Sequence, residues 1–384
     1  VEEINEELEF TQIKVANVNA ALDAIAIHVR ASLPNLTVIG ITGSQGKTTV
    51  KDMLGQVLSE FGPTISPIGS FNNELGVPIT ILRCNSQTKY LVLEMGARHR
   101  GEIRKLASMS NLNIAIVLCV GQAHLGEFGS VQQIFETKRE IVECTPKSGD
   151  VILGTYDPLT PTMAGATGAR VLTFGPEGII QAKLLSMSEG AASIEYRGKQ
   201  GRLGFLGKHQ ISNAEAVLAT IEVLDLDEKR GFEALISAKP QSRWRMEKIL
   251  LESGATLLCD FYNANPESMA SAVLSLSNFA DGLVTWAVLG EMRELGEASL
   301  ASHQMIGRLV FEQQIDHLVG VGTYGKVIVE AAQELGHPSA HWSETKVEAA
   351  DYLKHHLSRE CCVLLKASRG EKFEEIAKVL GVEV

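Results

Sequence analysis

Apolar positions along this chain alternate between a helical and a strand-like period. Residues 1–17 are polar and weakly patterned. From 18 to 32, Val18, Leu22, Ile25, Ala26 and Val29 recur at helical spacing and predict a helix. A short buried strand is predicted at 37–41. A helix follows from about Thr48, with Val50, Met53, Leu54, Val57, Leu58 and Phe61 on one face. Further strands are predicted at 90–94, 114–120 and 151–154, with a helix over 131–143. Residues 170–206 read differently: β-like pieces at 170–174 and 191–196, separated by glycine, predict a small sheet appended to this first unit. Helices follow at 211–225 and 228–237.

A second unit begins after Pro240. Strands at 256–260, 284–289, 317–321 and 363–366 alternate with helical patterns near 266–279, 299–313, 324–335, 345–357 and 371–380. Such alternation implies an α/β fold with a mostly parallel, doubly wound sheet. The 384 residues allow two or three domains at roughly 100–200 residues each.

Charge and cysteine usage narrow the function classes. The net charge of −11, with no clustered basic stripe, argues against nucleic acid as a partner. No stretch reaches the apolar length of a membrane span, and the acidic start Val1-Glu2-Glu3 is the wrong opening for a secretory signal. The six cysteines form no C-x-x-C pair, which indicates neither a zinc ribbon nor a redox motif. Their apolar settings fit buried thiols in a reducing cytoplasm, so a cytoplasmic location is expected.

The strongest chemical signal is Thr42-Gly43-Ser44-Gln45-Gly46-Lys47-Thr48-Thr49, between a predicted strand and a predicted helix. Successive backbone N–H groups at a helix N-terminus make an anion site. Lys47 is placed to meet the β- and γ-phosphates of a nucleotide, and the Thr48 hydroxyl to ligate Mg²⁺. The usual first glycine of such a loop is replaced by Ile41, and the glycine stands at Gly43. Glu94 ends an apolar strand; it suits Mg²⁺, directly or through water, or a helix cap or solvated charge. His124 and Lys138 read alone as surface residues, and Asn72 and Asn73 as turn residues. Asp260, Tyr262, Asn263 and Asn265 follow a second-unit strand, where ligands bind in such sheets. Arg245 follows the Pro240 linker, and Lys366, Ser368 and Arg369 follow the last strand.

Together these residues resemble the Mur ligases, the ATP-dependent amide-forming enzymes of peptidoglycan synthesis. The loop resembles that family's T-G-S/T-x-G-K-T-S/T. The runs G-S-F-N-N-E-L-G-V-P-I-T (69–80), L-E-M-G-A-R (93–98), A-H-L-G-E-F-G-S (123–130), D-F-Y-N-A-N-P-E-S-M (260–269) and L-G-E-M-R-E-L-G-E (289–297) are similar to one branch in particular. That branch joins D-alanyl-D-alanine to UDP-N-acetylmuramoyl-tripeptide. The resemblance implies a linker helix at 1–32, a central ATP-binding domain at 33–239 and a Rossmann-like C-terminal domain at 240–384. It implies ATP phosphates on Gly43–Thr49, one Mg²⁺ on Thr48 and Glu94, and a second on His124 and carbamylated Lys138. Lys47, His124 and Lys138 become the expected catalytic residues. Asn213, Arg245, Asp260, Tyr262, Asn263 and Asn265 become nucleotide contacts; Asn72, Asn73, Lys366, Ser368 and Arg369 become substrate contacts. The expected partners are the two small-molecule substrates, and a monomer is expected.

Several positions depart from the family pattern. Gln45 stands for Asn or Ser, Gln210 for the Asn of G-x-H-N, Phe261 for Ala and Ala367 for Gly, while Gly154–Asp157 replaces N-x-D-D. Family members also carry an amino-terminal UDP-binding domain. Only a short piece precedes the helix at 18–32 here, so the chain is expected to be truncated or to recognise its substrate differently. A folylpolyglutamate synthase shares the architecture, but the runs at 69–80 and 289–297 argue against that reading. A nucleotide-binding remnant without catalysis is the third alternative.

Overall fold

The computed structural model describes residues 1–7, 9–121, 125–279 and 282–383, without the side chains of Leu125 and Glu127. The predicted first helix is present as α1 (Val18–Ala31), capped by the Asn17 side chain, which accepts the Ala20 N–H at 2.8 Å. There follow β1 (Thr37–Thr42), α2 (Lys47–Ser59), β2 (Thr64–Ile65), α3 (Gly76–Ile81), β3 (Tyr90–Glu94), α4 (Glu102–Ser110), β4 (Ile114–Val117), α5 (Leu125–Phe128), α6 (Val131–Glu143), β5 (Asp150–Gly154) and β6 (Arg170–Phe174). The six strands form one sheet in the order β2-β3-β1-β4-β5-β6, with every pairing parallel.

Both faces of this sheet are covered, which is why its strands are apolar without alternation. Ile39 and Ile41 of β1 pack with Met53, Leu54 and Val57 of α2. Val38 points the other way, with Leu106 of α4 and Ile141 of α6. Each such Ile or Leu contributes about 1.5–3 kcal/mol by leaving water.

The appended sheet differs from expectation. Residues 170–174 belong to the large sheet as its edge strand, with Arg170 opposite Asp150 and Phe174 opposite Gly154. The small antiparallel sheet consists of β7 (Lys183–Ser188), β8 (Ala191–Tyr196) and β9 (Lys199–Leu206). Two helices, α7 (Gln210–Val223) and α8 (Glu228–Ser237), then pack against α2.

The second unit runs β10 (Glu247–Leu250), β11 (Thr256–Cys259), α9 (Pro266–Phe279), β12 (Val284–Leu289), α10 (Ser299–Glu312), β13 (His317–Val321), α11 (Gly322–Glu334), β14 (Ala340–Ser343), α12 (Lys346–His356), β15 (Cys361–Lys366) and α13 (Glu374–Val379). Its sheet order is β10-β11-β15-β12-β13-β14, parallel except for β10. The last strand therefore enters between β11 and β12. That insertion sets Leu365 opposite Cys259 and Lys366 opposite Leu289, so the segments after these strands emerge side by side. All six cysteines are free thiols. No helix among the described residues is long and apolar enough to cross a membrane.

Candidate active site

The phosphate loop starts where β1 ends and stops where α2 begins. Gly46 caps α2 in the left-handed region at φ 83°, and a Cβ there would collide with the Asn213 side-chain oxygen. A Cβ on Gly43 would meet the Leu118 Cβ at 2.9 Å. The glycines stand where close approach demands them, which accounts for Gly43 in place of a glycine at 41. The loop is pinned to the end of β4: Ser44 N–H donates to Cys119 O at 2.9 Å, and Gly121 N–H donates to Ser44 Oγ at 2.8 Å. Lys47 Nζ donates to Gly43 O at 2.6 Å.

Pairing of β1 with β3 puts Glu94 directly beside Ile41, at the base of the loop. Glu94 is buried. Its Oε1 accepts from Asn72 Nδ2 at 2.8 Å, while its Oε2 has no hydrogen-bond partner among the described residues. An unpartnered anionic oxygen is costly inside a protein unless a cation meets it. Lys47 is its nearby charge partner: burial lowers the Lys47 ammonium most, Glu94 raises it and Arg245 lowers it. Thr48 Oγ1 lies 3.1 Å from Ser70 Oγ and accepts from Arg245 Nη2 at 3.2 Å. A hydroxyl and a carboxylate oxygen of this kind form a hard-oxygen set suited to Mg²⁺ on a bound phosphate.

Lys138, on the buried face of α6, is only 6 % exposed. Burial first, and the Lys47 charge second, pull its amine down to about 7. Among the described residues only Cys119 opposes that shift and no carboxylate does, so a substantial fraction is neutral near pH 7. His124 lies outside the described residues.

The second unit brings Arg245 to the loop. Trp244 and Met246, on either side of it, are held at φ 59° and 54°, a conformation unfavourable for such side chains. The guanidinium lies over the Tyr262 ring at 4.4 Å, and its Nε is buried without a hydrogen-bond partner among the described residues. Asp260 accepts from Met246 N–H at 3.2 Å and pairs with Lys366 Nζ at 2.6 Å. Lys366 also donates to Asn263 O at 3.1 Å, and burial lowers its ammonium against the opposing pull of Asp260.

Lys366 thus ties the segment after β11 to the end of β15. Ser368 ties that same segment to the one after β12, accepting from Arg293 N–H at 2.9 Å and donating to Ala264 O at 3.3 Å. Asn265 accepts from Ser268 N–H at 2.8 Å at the start of α9, and Asn263 accepts from Ala264 N–H at 2.9 Å. Asn73 has the turn geometry, its Oδ1 accepting from Gly76 N–H at 3.0 Å. Arg369 stacks over Trp244 at 4.3 Å and pairs with Glu374 at 2.6 Å. Asn213 donates to Gln210 Oε1 at 2.7 Å, so the departure at Gln210 supports the asparagine facing Gly46.

One cleft of about 1530 Å³ gathers these groups from both units. Ser44–Thr49, Asn72, Asn73, Glu94, Lys138, Asn213, Arg245, Asp260, Tyr262, Asn263, Asn265, Lys366, Ser368 and Arg369 all line it; Gly43 sits beneath. Sequence reasoning missed Ser70, which shares Arg245 with Thr48 and stands within the run at 69–80. It also missed Cys119, which carries no local signal, and His209, the histidine of the G-x-H-N pattern; both line the cleft. Burial lowers His209 and favours its neutral form.

Comparison with known proteins places the chain in a family. The Mur ligase middle domain profile matches residues 41–221, and the Mur ligase glutamate ligase domain profile matches 244–369. The UDP-N-acetylmuramoyl-tripeptide–D-alanyl-D-alanine ligase of Mycobacterium tuberculosis (strain CDC 1551 / Oshkosh) is 40% identical over 393 residues, spanning 95% of this chain and 77% of that protein. The chain belongs to the Mur ligase family. A second relative of the same name, from Bacillus subtilis (strain 168), is 32% identical over 94% of this Mur ligase and 80% of its own length. Among solved structures, MurF from Acinetobacter baumannii superposes with TM-score 0.90 at 30% identity, covering 99% of this chain and 84% of that one. MurF from Thermotoga maritima, solved with ADP, gives TM-score 0.83 at 26% identity over 98% and 86% of the two chains.

Proposed function

We propose that this Mur ligase uses ATP to join the free carboxylate of UDP-N-acetylmuramoyl-tripeptide to the amine of D-alanyl-D-alanine, releasing ADP and phosphate. The observation that carries the reading is the Glu94–Thr48–Lys47 cluster at the loop, faced by Arg245 from the second unit. The names of the relatives supply the substrates. We take residues 33–239 and 240–384 as the two domains whose meeting completes the cleft, with 1–32 leading into the first.

A carboxylate oxygen attacks the γ-phosphorus, the bond to the β-phosphate oxygen breaks, and ADP leaves. The amine nitrogen then attacks the acyl carbon of the resulting acyl phosphate, and inorganic phosphate departs. Charge gathers on the phosphoryl oxygens in the first step, so fixed cations there lower the barrier. Lys47 and Arg245 supply two, held by the loop and by the turn at 244–246. Thr48 and Glu94 would hold Mg²⁺, which would neutralise phosphate charge. Burial favours the neutral Lys138 amine, which can add CO₂ and release a proton, and the resulting carbamate would offer an anionic oxygen to a second ion. Asn213 from the first unit and Asn265 from the second, both lining the cleft, orient the nucleotide.

Removing Lys47 is expected to lower the rate on the order of 10³-fold. The test is phosphate release by the whole chain with ATP, Mg²⁺ and the UDP-tripeptide, with and without D-alanyl-D-alanine. Release that requires the dipeptide, and is lost in Lys47→Ala and Lys138→Ala, supports the reading. Full ligation by either variant contradicts the role given to that lysine.

A further inference from the structure

Two buried charges, Lys51 and Asp52, lie outside the cleft yet join the two units. Both sit on α2, one turn beyond Lys47 and Thr48, and are 2 % and 3 % exposed. Their charged groups meet at 2.5 Å. A buried ion pair is tolerated only when its remaining protons and lone pairs also find partners. Here the partners are informative. Asp52 Oδ2 accepts Ser242 N–H at 2.9 Å, and Oδ1 accepts the Ser242 hydroxyl at 3.2 Å. Lys51 Nζ donates to Ser242 Oγ at 3.2 Å, to Pro67 O at 3.2 Å and to Gly69 O at 2.9 Å.

Ser242 lies in the segment leading into the second unit, three residues before Arg245. Gly69 precedes Ser70, which with Thr48 receives Arg245 Nη2. One ammonium thus grips both the segment that delivers the guanidinium and the segment that receives it. The left-handed turns at Trp244 and Met246 hold an unfavourable conformation, which persists only where neighbouring contacts fix it.

We propose that Lys51 and Asp52 are positioning residues: by fixing Ser242 they set Arg245 against Thr48 at the phosphate end of the cleft. The inference rests on the role given to Arg245 under the proposed function. Ser242 is the link to cut, because its hydroxyl both donates to Asp52 and accepts from Lys51, and its loss leaves the ion pair in place.

The experiment is a double-mutant cycle on the full chain with Ser242→Ala and Arg245→Ala, reading kcat, both KM values and the melting temperature. Asp52→Asn serves as a second route to the same anchor. Ser242→Ala is expected to lower kcat about 3- to 10-fold, the equivalent of a hydrogen bond's net worth, with KM for the dipeptide unchanged. In the Arg245→Ala background the same substitution is expected to change kcat less than twofold, because the group it positions is gone. An equal fold-loss in both backgrounds, or no loss from Ser242→Ala in the parent, overturns the proposal while leaving Arg245 in its role. Wild-type kcat in Arg245→Ala overturns both.

Discussion

Replacing Glu94 by glutamine separates chemistry from packing. Glutamine has the same shape, and its carbonyl oxygen keeps the 2.8 Å bond from Asn72. The loss is the negative charge and the second anionic oxygen, which has no partner among the described residues. Stability should therefore change by no more than about 1 kcal/mol, a shift of roughly 1 °C in melting temperature for a chain of 384 residues. Turnover is a different matter. Under the proposed metal role, Mg²⁺ would keep Thr48 and the phosphates on this side without the carboxylate. The loss of charge stabilisation in the transition state is about 3–4 kcal/mol, or 10²–10³ in kcat. The assay is steady-state phosphate release across a Mg²⁺ titration, beside a thermal melt of the metal-free protein. The expected variant melts like the parent, turns over at least about 10²-fold more slowly, and needs more Mg²⁺ for half-maximal activity. A variant with unchanged melting and kcat within threefold of the parent would refute the metal role. A collapsed melt with normal Mg²⁺ dependence in the residual activity would make Glu94 a structural residue.

Three further outcomes follow from the same structure. Lys138 is held near 7 by burial, so its charged form opposes folding: the penalty is complete below about 7 and fades as pH rises toward the ordinary lysine range. In CO₂-free buffer, Lys138→Met should therefore melt higher than the parent at pH 6, with a shrinking advantage by pH 9; equal gains at both values would contradict the cause assigned. Carbamate detected by ¹³C NMR in the metal-free parent should increase between pH 6 and 8 and be absent from that variant. Gly46→Ala forces a Cβ into the Asn213 side chain at a left-handed position, so ATP affinity measured by calorimetry should fall at least about tenfold. Lys366→Met leaves Asp260 without its buried partner and should lose about 3 kcal/mol in chemical unfolding, recovered in part by adding Asp260→Asn; full stability of the single variant would argue against its role as a tie between loops.

What could be read in advance was set by how local each determinant is. Strand β3, helix α6 and helix α9 have the predicted bounds, because period and turn residues agree there. Residues 170–174 were misplaced because their assignment depends on pairing with β5, twenty residues away and parallel. Strands β7 and β9 escaped detection: half-exposed runs such as Lys199-Gln200-Gly201-Arg202 carry little apolar alternation. Edge strands β10 and β14, four residues each, were missed for the same reason. The phosphate loop was legible because glycine spacing encodes its backbone. Lys366 and Ser368 were placed at the cleft, yet their tying of loops could not be seen, since their partners lie about a hundred residues away. Lys51 and Asp52 gave no signal at all, for the partner that makes them informative, Ser242, is met only in three dimensions.

The claim at the centre is that a carboxylate is activated by phosphoryl transfer in this cleft. The direct measurement uses UDP-N-acetylmuramoyl-tripeptide carrying ¹⁸O in its terminal carboxylate, with mass analysis of the phosphate released during ligation to D-alanyl-D-alanine. An acyl-phosphate route moves one labelled carboxylate oxygen into each phosphate formed. Phosphate carrying that label at the ratio of one per ligated product is the predicted result. Unlabelled phosphate formed alongside ligated product would contradict the account.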